Sequence, residues 1–152
     1  MKNNDILRRL RYAFDFDDDR MMDLFTKGGV TSTRAEISDW LKKEEDENHK
    51  PLNDRLFAVF LNGFIILKRG AQDDKIPEPE KELNNNIILR KLKIALNFRD
   101  EDIIEMFDLA KFKVGKHEVS AFFRNPSQSQ YRECKDQFLR NFLEGLQVKF
   151  RN

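Results

Sequence analysis

Arg8, Arg9 and Arg11 lie opposite an apolar stripe of Leu7, Leu10 and Phe14, and Arg90, Lys91 and Lys93 repeat the arrangement 82 residues later. Three cations on one helix, presented twice, can track a phosphate backbone or meet an acidic protein surface. The same pattern also describes the solvated faces of two amphipathic helices, with Asp5, Asp15 and Asp17 near the first of them to balance its charge. Among the polar pairs that keep their identity across the repeat are Arg8/Arg90, Asn4/Asn86 and Asp54/Asp136. An Arg–Asp pair between the first and fourth helices, with the asparagine capping the first, accounts for all three without a ligand. Facing outward, they would mark two equivalent binding positions.

A second arrangement that could do chemistry runs from Asp23 to Leu41. A Gly-containing turn at Gly28-Gly29, a Thr cap and then Ile37-Ser38-Asp39-Trp40 have the look of a helix-turn-helix. Read that way, Arg34, Lys42 and Lys43 in one copy would face nucleic acid, with Lys116, His117 and Arg124 in the other. The turn is longer than the motif allows, Asp39 lies on the reading face, and the second copy has Ala110-Lys111 in place of Gly-Gly. Catalytic constellations are scarcer. His49 and His117 are the only histidines and are not repeat-equivalent, and no His/Cys cluster has metal-ligand spacing. Glu44-Glu45 and Asp17-Asp18-Asp19 lack the apolar surroundings that raise a carboxylate's pKa for acid catalysis. Cys134 reads as a small buried hydrophobe. No cofactor is indicated.

The elements that must position these groups come from a duplication. Residues 4–70 lie on residues 86–152 at one constant offset without a gap: Phe60-Leu61-Asn62-Gly63 falls on Phe142-Leu143-Glu144-Gly145. Each copy reads as four helices. The first carries Ile6, Leu7, Leu10, Ala13 and Phe14, matched by Ile88, Leu89, Leu92, Ala95 and Leu96. The second begins at Asp18 or Asp100, both expected as N-caps. Gly28-Gly29 signals its end, and Thr33-Arg34-Ala35-Glu36 is a capping box for the third helix. The fourth and most apolar spans about Asp54 to Leu67 and Asp136 to Phe150. Gly63 and Gly145 sit inside it, where glycine costs about 1 kcal/mol relative to alanine. Their recurrence predicts a close helix crossing in each copy. No period-2 alternation occurs, so the expected class is all-α: two tandem pseudo-symmetric four-helix repeats packed into one unit, residues 1–70 and 84–152, joined by a Pro/Glu-containing linker at 71–83.

Composition bounds the remainder. The chain of 152 residues is 36% charged with a net charge of +1, which argues against an obligatory polyanion binder. Residues 1–70 carry 13 Lys/Arg and 13 Asp/Glu, whereas residues 83–152 carry 13 and 9, so the surplus lies in the second copy. Fourteen Phe against one Trp and two Tyr predict a core filled by rings that need no hydrogen-bond partner. A single cysteine fits a reducing compartment, the start shows no apolar signal region, and no run spans a bilayer, so the expected location is cytoplasmic.

The opening Asn4-Asp5-Ile6-Leu7-Arg8, its echo Asn86-Ile87-Ile88-Leu89-Arg90 and the Phe60-Leu61-Asn62-Gly63 segment resemble the bacterial YehS-like family over nearly the whole chain. The resemblance implies a small cytoplasmic bacterial protein built from a duplicated domain of unknown function, and it brings no catalytic residues. The expected role is therefore a non-enzymatic binding or adaptor module. Its partner would be a protein meeting the seam or the paired cationic helices, or a second copy through exposed Phe and Met. Nucleic-acid binding is the alternative.

Overall fold

Capping chemistry sets where each helix begins, and the repeat sets it twice. The computed structural model describes residues 1–71 and 75–151, so the linker's Gln72, Asp73 and Asp74 lie outside the described residues. Among those described are eight helices: α1 (Asn3–Ala13), α2 (Asp18–Lys27), α3 (Arg34–Leu41), α4 (Asp54–Arg69), α5 (Asn85–Leu96), α6 (Asp100–Leu109), α7 (Lys116–Phe122) and α8 (Asp136–Phe150). The protein is all-α, two helical repeats in tandem.

Two expected caps move by one residue. Asp17, not Asp18, caps α2, its carboxylate accepting from the Arg20 N–H at 2.8 Å. A cap must stand outside the helix to reach the third amide, and Asp18 is already inside. Position 99 is arginine, which offers no acceptor; there Asp102 reaches back to the Arg99 N–H at 2.8 Å, and Asp100 is the first helical residue. The Thr33–Glu36 capping box closes as expected, with bonds of 3.1 and 2.9 Å. After α2, Gly29 takes φ +110°, and its counterpart Lys111 holds φ +58° without glycine's freedom.

The glycine crossing lies inside each copy, between its second and fourth helices. A Cβ on Gly63 would stand 1.7 Å from the Leu24 carbonyl oxygen of α2, and one on Gly145 would stand 2.0 Å from the Met106 oxygen of α6. Leu24 and Met106 are themselves repeat-equivalent, so the same backbone approach is made twice.

The other face of each fourth helix is covered by the opposite copy. α4 lies against α5, and α8 lies against α1, each far more extensively than a first helix meets the fourth helix of its own copy. This exchange explains why α4 is buried on all sides from Phe57 to Phe64: α2 covers one face and α5 the other. One continuous core results, running through Phe25, Phe57 and Phe60 in one copy and Phe107, Phe122 and Phe142 in the other.

Exchanged helices make a prediction about the isolated half. Residues 1–71 expressed alone would leave the outer face of α4 and the inner face of α1 without their partners. They are expected to fold only as a dimer that rebuilds both contacts. Sedimentation velocity showing a folded monomer would contradict the exchange.

Candidate interaction surface along the seam

Polar ties fasten the seam at both of its ends. At one end Asp54 accepts from Asn3 Nδ2 of its own copy at 2.7 Å and from the Leu83 N–H, where the linker runs into the other copy, at 2.8 Å. Asp136 does the same, accepting from Asn85 Nδ2 at 2.8 Å and from the Met1 amino group at 2.6 Å. The Met1 ammonium and the Asn85 amide hold the Asp136 carboxyl below the ordinary carboxylate range. At the other end Arg69 donates to Asn97 Oδ1 at 2.5 Å, beside the last carbonyls of α5. Its counterpart Arg151 donates to the Tyr12 carbonyl at 3.0 Å and to Asp15 at 2.9 Å, and covers the Tyr12 ring. A cation at a helix C-terminus meets the negative end of its dipole. Both N-termini meet at one end and both C-termini at the other, so each exchanged pair runs parallel.

The invariant positions therefore do not pair as expected. Asp54 and Asp136 receive asparagine amides and backbone donors rather than Arg8 or Arg90. Nor do Asn4 and Asn86 cap the first helices; each lies inside its helix and is buried. Asn4 Nδ2 donates to the Trp40 and Lys50 carbonyls, both at 2.9 Å, and its Oδ1 accepts from the Leu52 N–H at 3.0 Å. Asn86 repeats the set on the Phe122 and Arg132 carbonyls and the Cys134 N–H, at 3.0, 2.9 and 2.9 Å. One amide thus ties the end of the third helix and the following loop to the first helix, in both copies. Cys134 stands where the first copy has Leu52, and burial, with Asp136 and Glu133 adding to it, pushes its thiol up to about 12. It is a protonated, inert side chain at neutral pH.

The cations divide into occupied and free. Arg8 is half-buried, paired with Asp5 and donating to the Lys42 carbonyl at 2.9 Å, where it closes the end of α3. Lys91 reaches across the seam to Asn62 Oδ1 at 2.6 Å and to Glu80 of the linker at 3.0 Å. Lys93 meets Asp100 at 2.8 Å and stands over the Phe123 ring at 4.1 Å. Burial works to raise the Asp100 carboxyl, but the hydrogen bonds from Lys93 and Ser120 outweigh it and leave it lowered. Lys116 lies 4.0 Å from Glu101. On the would-be reading helix Arg34 is held by Asp18 and Asp19 at 3.1 and 2.8 Å, and Lys42 by Asp39 at 2.7 Å. Arg9, Arg11, Arg90 and Arg124 have no ion pair among the described residues, and of these Arg90 and Arg124 are exposed.

One substitution separates the two copies here. Position 5 is aspartate, which holds Arg8; position 87 is isoleucine, so Arg90 has no carboxylate one turn before it. Along α5 the residues Ile87, Arg90 and Ile94 fall at i, i+3 and i+7 and share a face. Ile94 is 44% exposed beside a cleft of about 390 Å³ that Arg90, Phe98 and Phe123 help to line. On the matching face of α1 Arg8 is closed against α3, while Tyr12, beneath Arg151, stays 42% exposed. The other exposed large apolar residues are Tyr12, Ile76 and Phe150, a set with one phenylalanine and no methionine, unlike the Phe and Met surface expected. Among the described residues no three His, Cys, Asp or Glu side chains gather as metal ligands, and no helix is long and apolar enough to cross a membrane. His49 donates from Nδ1 to the Lys42 carbonyl at 2.9 Å, and His117 is exposed.

A duplicated all-α unit with exchanged first helices is the class these features define. The chain belongs to the family described as "Protein of unknown function (DUF1456)", which matches it twice, over residues 3–70 and 85–152. It is similar to the "Uncharacterized protein YehS" of Escherichia coli (strain K12), 40% identical over 151 residues, covering 98% of this chain and 96% of the relative. No solved structure gives a significant match.

Proposed function

We propose that the protein is a non-enzymatic binding module of the cytoplasm that takes a protein partner on the outer face of α5. The observation that carries this is the Ile87–Arg90–Ile94 face, whose exposed guanidinium lacks the carboxylate and the α3 carbonyl that hold Arg8 at the matching place on α1. Apolar side chains flanking a free guanidinium suit a partner segment that alternates apolar and acidic residues. Nucleic acid fits less well, because Lys91, Lys93, Arg34 and Lys42 are neutralised within the chain and add little to counterion release.

The test is capture from a bacterial lysate with and without nuclease, using wild type and the double variant Ile87→Asp/Ile94→Asp. Expected is a protein species that resists nuclease, persists from about 0.05 to 0.5 M salt, and is lost with the variant. Material released by nuclease, or retained equally by the variant, would overturn the reading.

A further inference from the structure

Beneath the linker, on the side of α5 that faces α4, lies a cleft of about 310 Å³. Its buried end holds Asn62, which is 1% exposed and whose Nδ2 has no hydrogen-bond partner among the described residues. Beside it the buried Glu80 Oε1 faces Lys91 but receives no hydrogen bond of acceptable geometry. Asn62 Nδ2 is a buried donor left unmet, and Glu80 Oε1, although the Lys91 ammonium compensates its charge, lacks an aligned donor; a bound group could complete both. A hydroxyl does so for both at once, since it accepts from an amide and donates to a carboxylate.

The outer end has the opposite character. Arg69 and Arg90 are both exposed and line the cleft, and Arg90 has no partner among the described residues. With Lys91 they set three cations against the single carboxylate of Glu80. Two guanidinium groups at one mouth match a dianionic phosphate, which they can bind in bidentate fashion. Ile65 and Ile94 supply the apolar walls between the two ends. The volume lies at the lower limit for small-molecule sites, room for a compact metabolite and not for a polymer. We propose that this cleft binds a phosphorylated polyol, a sugar phosphate, with its phosphate on Arg90 and Arg69 and a hydroxyl between Asn62 and Glu80.

The symmetry of the fold supplies an internal contrast. At the equivalent place in the other seam Glu144 replaces Asn62 and Arg8 is consumed by α3. Only one of the two seams carries the full set.

The test uses the intact chain with ribose 5-phosphate as probe, against ribose and inorganic phosphate, read by calorimetry and by thermal stability. Ribose 5-phosphate at about 10 mM is expected to raise Tm, and ribose or phosphate alone to do so far less. Arg90→Ala changes an exposed side chain, so it should fold normally and weaken binding about tenfold or more. Ile87→Ala trims the proposed protein-docking face outside the cleft without placing a carboxylate one turn from Arg90, and is expected to leave this binding unchanged, which separates the two readings. No Tm change with ribose 5-phosphate, equal binding by Arg90→Ala, or full reproduction of the effect by inorganic phosphate would overturn the site.

Discussion

Gly63→Ala and Gly145→Ala are each expected to lower Tm by about 10 °C, even though alanine is the better helix former. The added methyl recovers about 1 kcal/mol of helix propensity. Against that, the new Cβ would lie 1.7 Å from the Leu24 oxygen at the first site and 2.0 Å from the Met106 oxygen at the second. These are backbone atoms within a hydrogen-bonded helix, so whole helices must move apart by an ångström or more. Overpacking of this kind costs about 3 kcal/mol or more, and each kcal/mol shifts Tm by a few degrees in a chain of this size. The clash therefore wins over propensity. A thermal melt of either variant that matches wild type would remove the crossing from the account.

Asn86→Ala should be comparably severe, and Asn4→Ala with it. The Asn86 side chain is 6% exposed and serves two carbonyls and one amide. Its removal leaves the Phe122 and Arg132 carbonyls and the Cys134 N–H short of a partner, each at about 1 kcal/mol or more. A total of about 3–4 kcal/mol follows, allowing for water entering the vacated space. The loss is local before it is global, because the same amide holds the loop between α7 and α8. Limited proteolysis within residues 124–135 should accelerate more than Tm falls. Asn85→Ala is the control: its amide binds at the partly exposed helix end and its loss should cost about 1 kcal/mol. If Asn86→Ala behaves no worse than Asn85→Ala, the buried tie is not what holds the loop.

How far these features could be read from the chain depends on whether their cause is local. The constant offset, the four helices per copy, the Thr33–Glu36 box and the two mid-helix glycines all follow from spacing within a few turns, and each stands where periodicity puts it. Cap positions slipped by one residue at Asp17/Asp18 because three successive aspartates all satisfy the same composition rule. The seam was not legible for a different reason. An apolar stripe on α1 states that something covers it but not whether α4 or α8 does so. Asn4 follows Asn3 at a helix start, where asparagine commonly caps, and its buried role depends on carbonyls 36 and 46 residues away. Arg69 and Arg151 did carry a signal, since they recur at the repeat offset just before a helix ends; only their cross-copy acceptors were hidden. Lys91 looked like one of three free cations because its carboxylate, Glu80, belongs to the linker and has no repeat counterpart.

The parallel course of α4 and α5 bears on what the tether does. A chain leaving the end of a 16-residue helix must travel back its full length, about 24 Å, before the next helix can start beside the first. Residues 75–83 are therefore spent on that return journey, with Glu80 beside Lys91 of α5 and Leu83 at the start of α4. A true homodimer, with identical halves and no tether, could never set an asparagine in one groove, as Asn62, and a glutamate in its mate, as Glu144. Fusing the halves breaks that equality, and one groove becomes free to acquire its own chemistry while the other continues simply to hold the pair together.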